Sequence, residues 1–451
     1  MVVMSGMLRW LKLEWWMAAG RVDYKRDRYH EALHCFQQVV VLYPRHLLAQ
    51  SYVGACYMGL QQYDDAVSAF ERGLQIKSDS AYCHAEMGRA YLYLSKGQEA
   101  VESLNRAFRI NPKYEQKGTY VLAMAAAYAR VGDYEASSKF YADAARLLPE
   151  SADAHHGLGW ALRSSGRSQE AEAPLRKAIA LEPDEPVSHN ELARTLFDLD
   201  RWVEAEQEFR RAIQLNPDNP DQHHWLGVTL RKQEHFSEEI PEYLEAIRLN
   251  PGDDDYYWDL GIAHTMLENY DDAIRAYEAA LRINPAPRFL SLCSLASDLA
   301  YSNRWDELLQ TGQRLVSLYP EEHEGHFFLA LAYAQLDRDR EAIESYQEAL
   351  RLQPDSFYSV ANLGASYLKL DRLPEAIDAF RRALALNRGE PGDQTGVHLK
   401  LGEAYVKLGD LPEAREQLRV LEEATPEAAK ELRSVIDAVS SEQPLTREPL
   451  R

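Results

Sequence analysis

The segment ANLGASYLKLDRLPEAIDAFRRALAL, residues 361–386, decides the fold of this chain. Apolar and small residues recur in each half of the segment with the spacing of one helical face. They are Leu363, Gly364 and Tyr367 in the first half, and Ala376, Ile377, Phe380, Ala383 and Leu384 in the second. The turn-like sequence KLDRLP lies between the two halves. The segment therefore predicts two helices that are joined by a short turn and pack against each other.

The same pattern recurs along the chain, most often at a spacing of 34 residues. Each copy ends at a marker position that is usually proline, which closes the second helix because it cannot donate a backbone hydrogen bond. The markers are Pro44, Ser78, Pro112, Pro149, Pro183, Pro217, Pro251, Pro285, Pro320, Pro354, Arg388 and Pro426. The residue 24 positions before the marker is Gly or Ala in all twelve copies, and the residue 12 positions before it is Ala in nine. Twelve copies in one register predict a tandem repeat.

Small residues at these positions let two helix backbones approach closely, and aromatic residues such as Phe70 and Phe209 fill the space beside them. These are the residues by which tetratricopeptide repeats are recognised, and the chain resembles that family over residues 13–428. The resemblance implies an all-α fold, a right-handed superhelical α-solenoid of stacked helix-turn-helix repeats. The twelve repeats are expected to start near residues 13, 47, 81, 118, 152, 186, 220, 254, 289, 323, 357 and 395.

The N-terminal residues 1–12 precede the first repeat and are mostly apolar. We expect their side chains to form a cap over the exposed end of the stack. Trp10, Leu11 and Trp15 also form an amphipathic cluster, so a partner-binding or membrane-surface peptide is the alternative interpretation.

The regular spacing changes in three places, and insertions in a repeat array are usually accommodated in turns. The spacing between successive markers exceeds 34 residues where insertions occur, at residues 113–120 and 387–396. The copy at residues 288–321 matches the pattern least well and is a candidate for a flexible joint. Residues 427–440 have helical spacing and predict a C-terminal capping helix, whereas the polar residues 441–451 are predicted to be disordered.

Composition and charge exclude several classes of function. The 451 residues include 50 Lys and Arg against 71 Asp and Glu, a formal net charge of −21. A strongly negative surface repels phosphate backbones, so no nucleic-acid binding is expected; the charge favours solubility, or attraction of a basic partner. Four isolated cysteines fit a reducing compartment. No apolar run is long enough for a membrane span and no secretory signal is apparent, so a cytoplasmic location is expected.

Histidine pairs are the strongest candidates for metal ligands, at His155–His156 and His223–His224. Adjacent residues on a helix point about 100° apart, so one pair cannot converge on an ion unaided. One histidine position recurs in register with Trp16 of the first repeat, which favours a packing role; its members are His84, His155, His189, His223, His326 and His398. No phosphate loop, nucleophile elbow or zinc-protease motif occurs. We therefore predict no catalytic residue, no metal site and no cofactor, and the chain is not expected to be an enzyme.

The family resemblance implies that the first helix of each repeat lines a concave groove in which peptides bind. The predicted partner-binding residues are His156, Trp160, Asn190, Glu191, Arg194, His224, Trp225, Trp258, Asp259, Phe327, Phe328 and Leu331. Aromatic and arginine side chains are enriched at binding hot spots, which favours this interpretation of the three tryptophans. The alternative is that the tryptophans pack between neighbouring first helices. For Phe327, Phe328 and Leu331, which form a more apolar patch, the alternative is a contact between repeats.

The predicted function is a non-catalytic scaffold or adaptor that binds a partner peptide or protein in the groove. Two specific family roles are disfavoured. Met17, Arg21 and Tyr52 occupy positions where chaperone-tail receptors need Lys and Asn, and only Asn362 matches the asparagine ladder of the O-linked GlcNAc transferases.

One alternative function is an accessory or substrate-recruiting subunit of a separately encoded enzyme complex, such as a glycosyltransferase or a cell-envelope assembly complex. Another is homo-oligomerisation through residues 1–12.

Overall fold

A computed structural model describes the backbone of residues 2–285, 288–386 and 391–442, and the side chains of 10–285, 288–386 and 394–439. Over these residues the fold is all-α, with 25 α-helices, one short 3-10 helix and no strand. The chain divides into two compact units, Met1–His235 and Phe236–Arg451. The predicted cap made by the side chains of residues 1–9 and the predicted disorder of residues 443–451 lie outside the described residues.

Thirteen helices form the first unit. They are α1 (Val2–Tyr24), α2 (Tyr29–Leu42), α3 (Leu47–Gly59), α4 (Tyr63–Ile76), α5 (Ala81–Tyr93), α6 (Gly97–Ile110), α7 (Gly118–Arg130), α8 (Tyr134–Leu147), α9 (Ala152–Ser164), α10 (Ser168–Leu181), α11 (Pro186–Asp198), α12 (Trp202–Leu215) and α13 (Pro220–Lys232). The 3-10 helix Pro112–Gln116 occupies part of the insertion predicted at residues 113–120.

Twelve helices form the described part of the second unit. They are α14 (Phe236–Leu249), α15 (Asp254–Met266), α16 (Tyr270–Ile283), α17 (Phe289–Tyr301), α18 (Trp305–Leu318), α19 (His323–Gln335), α20 (Asp339–Leu352), α21 (Phe357–Lys369), α22 (Leu373–Leu386), α23 (Pro391–Leu408), α24 (Leu411–Ala424) and α25 (Pro426–Glu442).

Within each unit the helices stack in sequence order. Each helix contacts the next helix along the chain, so the helices pack as successive pairs. The odd-numbered helices, here called the A helices, also contact one another in order from α3 to α13 and from α15 to α25. The even-numbered helices are called the B helices. The arrangement is an α-solenoid in which the A helices lie side by side.

The turns explain why each helix stops where it does. A residue in the left-handed region follows most A helices, as at Gln61 (φ 59°), Gly132 (φ 80°) and Asp200 (φ 58°), and it redirects the chain into the B helix. B helices end two residues before the marker proline. Asn216, for example, has extended backbone (φ −141°, ψ 85°) because Pro217 disfavours helix in the preceding residue.

Small residues let the A and B helices of a pair approach each other. All nine alanines at the position 12 residues before the marker are completely buried; they are Ala32, Ala66, Ala100, Ala171, Ala205, Ala273, Ala342, Ala376 and Ala414. Bulky rings fill the remaining space, and the largest are Phe36, Phe70, Phe209, Tyr243, Tyr277, Tyr346 and Phe380. The core is therefore a series of similar clusters of small residues and rings, repeated from one helix pair to the next. No single central cluster dominates it.

Several boundaries differ from those predicted. Helix α1 begins at Val2, so no helix end coincides with the boundary predicted between residues 12 and 13. Helix α23 begins at Pro391 and not at residue 395. The copy at 288–321 forms the helix pair α17 and α18, with Leu308 and Leu315 completely buried, and its role as a flexible joint stays a prediction.

Candidate functional site

Five of the six histidines that recur in register connect their own A helix to the end of the preceding B helix. Nε2 of the ring donates to a backbone carbonyl at 3.0 to 3.2 Å. The pairs are His84 with Ser78, His155 with Pro149, His189 with Pro183, His223 with Pro217, and His326 with Pro320. Each acceptor is a marker residue, so the recurrence of histidine reflects packing between repeats. His398 instead places Nδ1 2.8 Å from Oε1 of Gln417.

Seven of the predicted partner-binding residues lie on three neighbouring A helices of the first unit, and we call them the central surface. They are His156 and Trp160 on α9, Asn190, Glu191 and Arg194 on α11, and His224 and Trp225 on α13. Helix α11 contacts both α9 and α13, so the seven residues lie on helices that are direct neighbours.

Neighbouring side chains hold His156 and Trp160 in place. Nδ1 of His156 lies 3.3 Å from Oγ of Ser188 on the adjacent A helix. Burial lowers the pKa of His156, so the imidazole is held in its neutral form. The half-buried Trp160 ring meets the Tyr134 ring edge-on, with 5.4 Å between centroids. These contacts leave both aromatic side chains partly exposed in fixed positions.

Arg194 and Trp225 form the most distinctive contact of the central surface. The Arg194 guanidinium carbon lies 4.6 Å from the centroid of the Trp225 ring, and the Phe197 ring packs edge-on against the same indole at 5.4 Å. Burial, together with the nearby Arg163, lowers the pKa of Arg194. Among the described residues, Arg194 forms no ion pair, and neither its Nε nor Oδ1 of Asn190 has a hydrogen-bond partner. An arginine that lacks an ion pair and is stacked on an indole is suited to a partner's polar group.

Glu191 has a different role from the one predicted. The side chain is 5% exposed and forms an ion pair with Arg163 of α9. Arg163 also lies 3.6 Å from Asp198. Glu191 is therefore held between helices α9 and α11, and we correct its assignment from partner contact to alignment of these A helices.

Trp258, in the second unit, also differs from the prediction. Its side chain is 5% exposed and belongs to a core cluster with Ile274 and Tyr277, and the Trp258 and Tyr277 rings are 4.8 Å apart. Ile274 and Tyr277 lie on α16, the B helix of the same pair, so Trp258 packs in the core and is not available as a partner contact. Asp259 on the same helix is half-buried.

The predicted patch of Phe327, Phe328 and Leu331 lies on α19, and all three side chains are half-buried. The two phenylalanine rings meet edge-on at 5.4 Å. Phe327 packs against the core cluster that contains Tyr346, whereas Phe328 and Leu331 pack against the cluster that contains Leu315. The patch therefore connects two core clusters of the second unit while part of each side chain stays exposed, and its role as a partner site stays a prediction.

A group of aromatic residues near the N-terminus, which we call the tyrosine cleft, was not predicted from the sequence. It is formed by Tyr24, Tyr29, Tyr63, Tyr82, Glu86, Arg89 and Tyr93. The cleft has a volume of about 360 Å³. The density of tyrosine in the first three repeats was a visible signal. The tyrosines form a cleft only because rings from different helices meet, and the sequence does not show which rings meet.

Three sequence models of the tetratricopeptide repeat match the chain. One matches residues 17–81, 122–186, 340–391 and 361–429, a second matches 162–227, and a third matches 254–287 and 323–356. Together the matched segments cover more than half of the chain. The chain belongs to the tetratricopeptide repeat family. In tetratricopeptide terms, the central surface lies on the first helices of three successive repeats.

Solved structures of other repeat proteins resemble the chain only distantly. Two crystal structures of MamA match 38% and 36% of this chain and 93% and 95% of their own, at 20% and 22% identity and TM-scores of 0.34 and 0.35. A crystal structure of the APC/C hetero-tetramer Cut9-Hcn1 matches 96% of this chain and 94% of its own, at 14% identity and a TM-score of 0.38. No curated protein matches the sequence.

None of the helices in the described part of the chain combines the length and the apolar character needed to cross a membrane.

Proposed function

We propose that this tetratricopeptide repeat protein is a non-catalytic scaffold or adaptor, and that its central surface binds a segment of a partner protein. The observation that favours this function most is the stack of Arg194 on Trp225, next to the partly exposed Trp160 and His156. Arginine and tryptophan are the residue types most enriched among binding hot spots. The family assignment supports a binding role and is compatible with many pathways.

The physical basis of binding is a preformed surface. The ring contacts of Trp160 with Tyr134, and of Trp225 with Phe197, hold the side chains before any partner arrives. A flexible segment that binds there loses conformational entropy, whereas the repeat surface loses little. The partner segment should contribute an apolar group to cover the indoles and a polar acceptor for the Arg194 guanidinium.

The test has two stages and uses the full chain. The immobilised protein captures partners from an extract of the source cells, and mass spectrometry identifies them. The purified partner is then titrated against the unmodified chain and the variants Arg194→Ala and Trp225→Ala. Val203→Ala is the matched control, because Val203 is an exposed residue of the B helix α12.

We expect each central-surface variant to bind at least about tenfold more weakly, and the Val203 variant to bind normally. Circular dichroism must show an unchanged helix content for all variants. Equal affinity of Arg194→Ala and Val203→Ala would rule out the central surface as the binding site.

The same capture addresses the alternative in which the chain serves a separately encoded enzyme. Recovery of an enzyme whose binding depends on Arg194 would identify the chain as its accessory subunit. The cytoplasmic location and the homo-oligomer through residues 1–12 stay predictions. For the oligomer, the relevant observation is that Trp10 and Trp15 are 55% and 60% exposed. Light scattering with and without residues 1–12 tests it.

A further inference from the structure

The tyrosine cleft is a second surface, distinct from the central surface and formed by the first three repeats. Next to it lies an apolar pocket of about 290 Å³ with Leu47, Leu48 and Tyr52 in its wall. Tyr82 lines both cavities, so they adjoin at this residue. Together they form a groove with an aromatic, hydroxyl-rich part and an apolar part.

The charged groups of the cleft neutralise each other. Arg89 Nη1 donates to Oε2 of Glu86 at 3.0 Å, and the Tyr120 hydroxyl donates to Oε1 of the same carboxylate at 2.7 Å. Glu86 is 7% exposed and already has both oxygens bonded. The cleft therefore has no unpaired carboxylate for a cationic side chain and no unpaired arginine for an acidic one. Its ligand should be a neutral segment.

The tyrosine rings are fixed by one another. The Tyr24 ring meets the rings of Tyr29 and Tyr52 edge-on, at 5.6 Å in each case. The rings of Tyr63 and Tyr93 stack at 4.5 Å with 6° between their planes. Burial raises the pKa of Tyr24 and of Tyr82, so both hydroxyls stay protonated and able to donate. Rigid rings with hydroxyl donors are suited to a ligand with flat apolar faces and free carbonyl oxygens.

A polyproline II helix has both properties. It forms no internal hydrogen bonds, so its carbonyls are free to accept, and its proline rings pack well on aromatic surfaces. One turn of this helix rises about 9 Å, and packed α-helices lie about 8–10 Å apart. Tyr52 and Tyr82 lie on the neighbouring A helices α3 and α5, and the separation expected for packed helices is close to the rise of one polyproline turn.

We propose that the tyrosine cleft and its adjoining apolar pocket bind a proline-rich segment of a partner protein in the polyproline II conformation. The Tyr24 and Tyr82 hydroxyls donate to backbone carbonyls of the segment, and proline rings pack on the same two side chains. The apolar pocket beside Leu47 takes one larger apolar side chain next to the prolines. Specificity comes from the shape and the free carbonyls of the segment, because the charged groups of the cleft are already paired.

The test measures fluorescence anisotropy of a labelled proline-only peptide of roughly ten residues, titrated with the full chain. Peptides of the same length that contain only Gly and Ser, or only Lys, are the comparisons. The variants are Tyr82→Ala and Tyr82→Phe, of which the second keeps the ring and removes only the hydroxyl. Tyr301→Ala is the control, because Tyr301 is an exposed tyrosine at the end of an A helix in the second unit.

We expect saturable binding of the proline peptide, no binding of the Gly-Ser peptide, and binding that changes little between low and high salt. Tyr82→Ala should weaken binding at least about tenfold and Tyr82→Phe several-fold, with Tyr301→Ala unchanged. Arg194→Ala should leave this binding intact, which separates the cleft from the central surface. The proposal is overturned if the proline peptide does not bind, if the Lys peptide binds more tightly, or if folded Tyr82→Phe and Tyr82→Ala bind like the unmodified chain.

Discussion

Gly364 lies directly against the ring of Phe380, so that a Cβ atom added at residue 364 would be 2.8 Å from Cε1 of the ring. The two residues face each other across the A helix α21 and the B helix α22. Phe380 is 1% exposed and has little room to move. The same relationship joins Gly20 to Phe36, where the distance would be 2.9 Å. In these two pairs, the close approach of the helices depends on the absence of one methyl group.

Replacing Gly364 should destabilise the protein for this reason. Gly364→Ala forces the Phe380 ring or the helix backbone to shift, which costs about 1–3 kcal/mol and outweighs the gain of up to about 1 kcal/mol from the better helix propensity of alanine. The matched control is Gly396→Ala in helix α23, where a Cβ would meet nothing within 4 Å. Urea unfolding should show a loss of stability at residue 364 and a small gain at residue 396. A gain at both positions would show that the contact with Phe380 does not limit the helix separation.

The positions of the helices could be predicted from sequence because each helix pair repeats the same small and aromatic contacts. The nine recurring alanines are all completely buried, as their register required. The turns could not be predicted at the same level, because residues such as Gln61 and Glu268 adopt left-handed backbone (φ 59° for both) without being glycine. There the closure of the helix pair fixes the backbone, and the intrinsic preference of the residue is overridden.

Trp258 and Trp160 occupy different environments and should respond differently to truncation. Trp258→Ala removes a buried ring from a core cluster and should cost about 3–5 kcal/mol of unfolding free energy. Trp160→Ala removes a half-buried ring at the surface and should cost clearly less. Thermal unfolding followed by circular dichroism compares the two variants. If both variants lose the same stability, Trp160 also belongs to the core and the central surface is smaller than proposed.

The candidate site was only partly predictable, because periodicity identifies the face of a helix and not the partner of a side chain. Glu191 was expected in the groove, yet Arg163, which is 28 residues away in sequence, pairs with it. The stack of Arg194 on Trp225 depends on two helices from different repeats, so periodicity alone could not predict it. Pairs of this kind are set by the distance between neighbouring A helices, which the sequence does not state.

Asp298 is a buried carboxyl group at a position where the neighbouring A helices have alanine, at Ala263 and Ala332. The side chain is completely buried. Thr265 donates a hydrogen bond to Oδ2, and Oδ1 has no hydrogen-bond partner among the described residues. The pKa of Asp298 is raised because burial disfavours the charged carboxylate, an effect that the hydrogen bond from Thr265 only partly opposes.

The consequence is a stability that depends on pH. Since the pKa of Asp298 is higher in the folded protein, its favourable contribution is complete below about pH 4, the unfolded value, and is lost as the pH rises through the folded pKa. At neutral pH, Asp298→Ala should therefore stabilise the protein by about 1 kcal/mol, since it removes a buried group without full hydrogen bonding. At acidic pH, this gain should disappear or reverse.

Urea unfolding of the unmodified chain and of Asp298→Ala, across about pH 4 to 8, measures this difference. Asp306→Ala on α18 is the control, because Asp306 is exposed on the adjoining B helix. Its replacement should change the free energy of unfolding little across this range. Other ionisable groups titrate equally in both proteins and cancel, apart from Tyr270, whose raised pKa depends in small part on Asp298. A difference that is constant with pH would mean that Asp298 ionises as freely in the folded chain as in the unfolded one, and that its burial has no electrostatic cost.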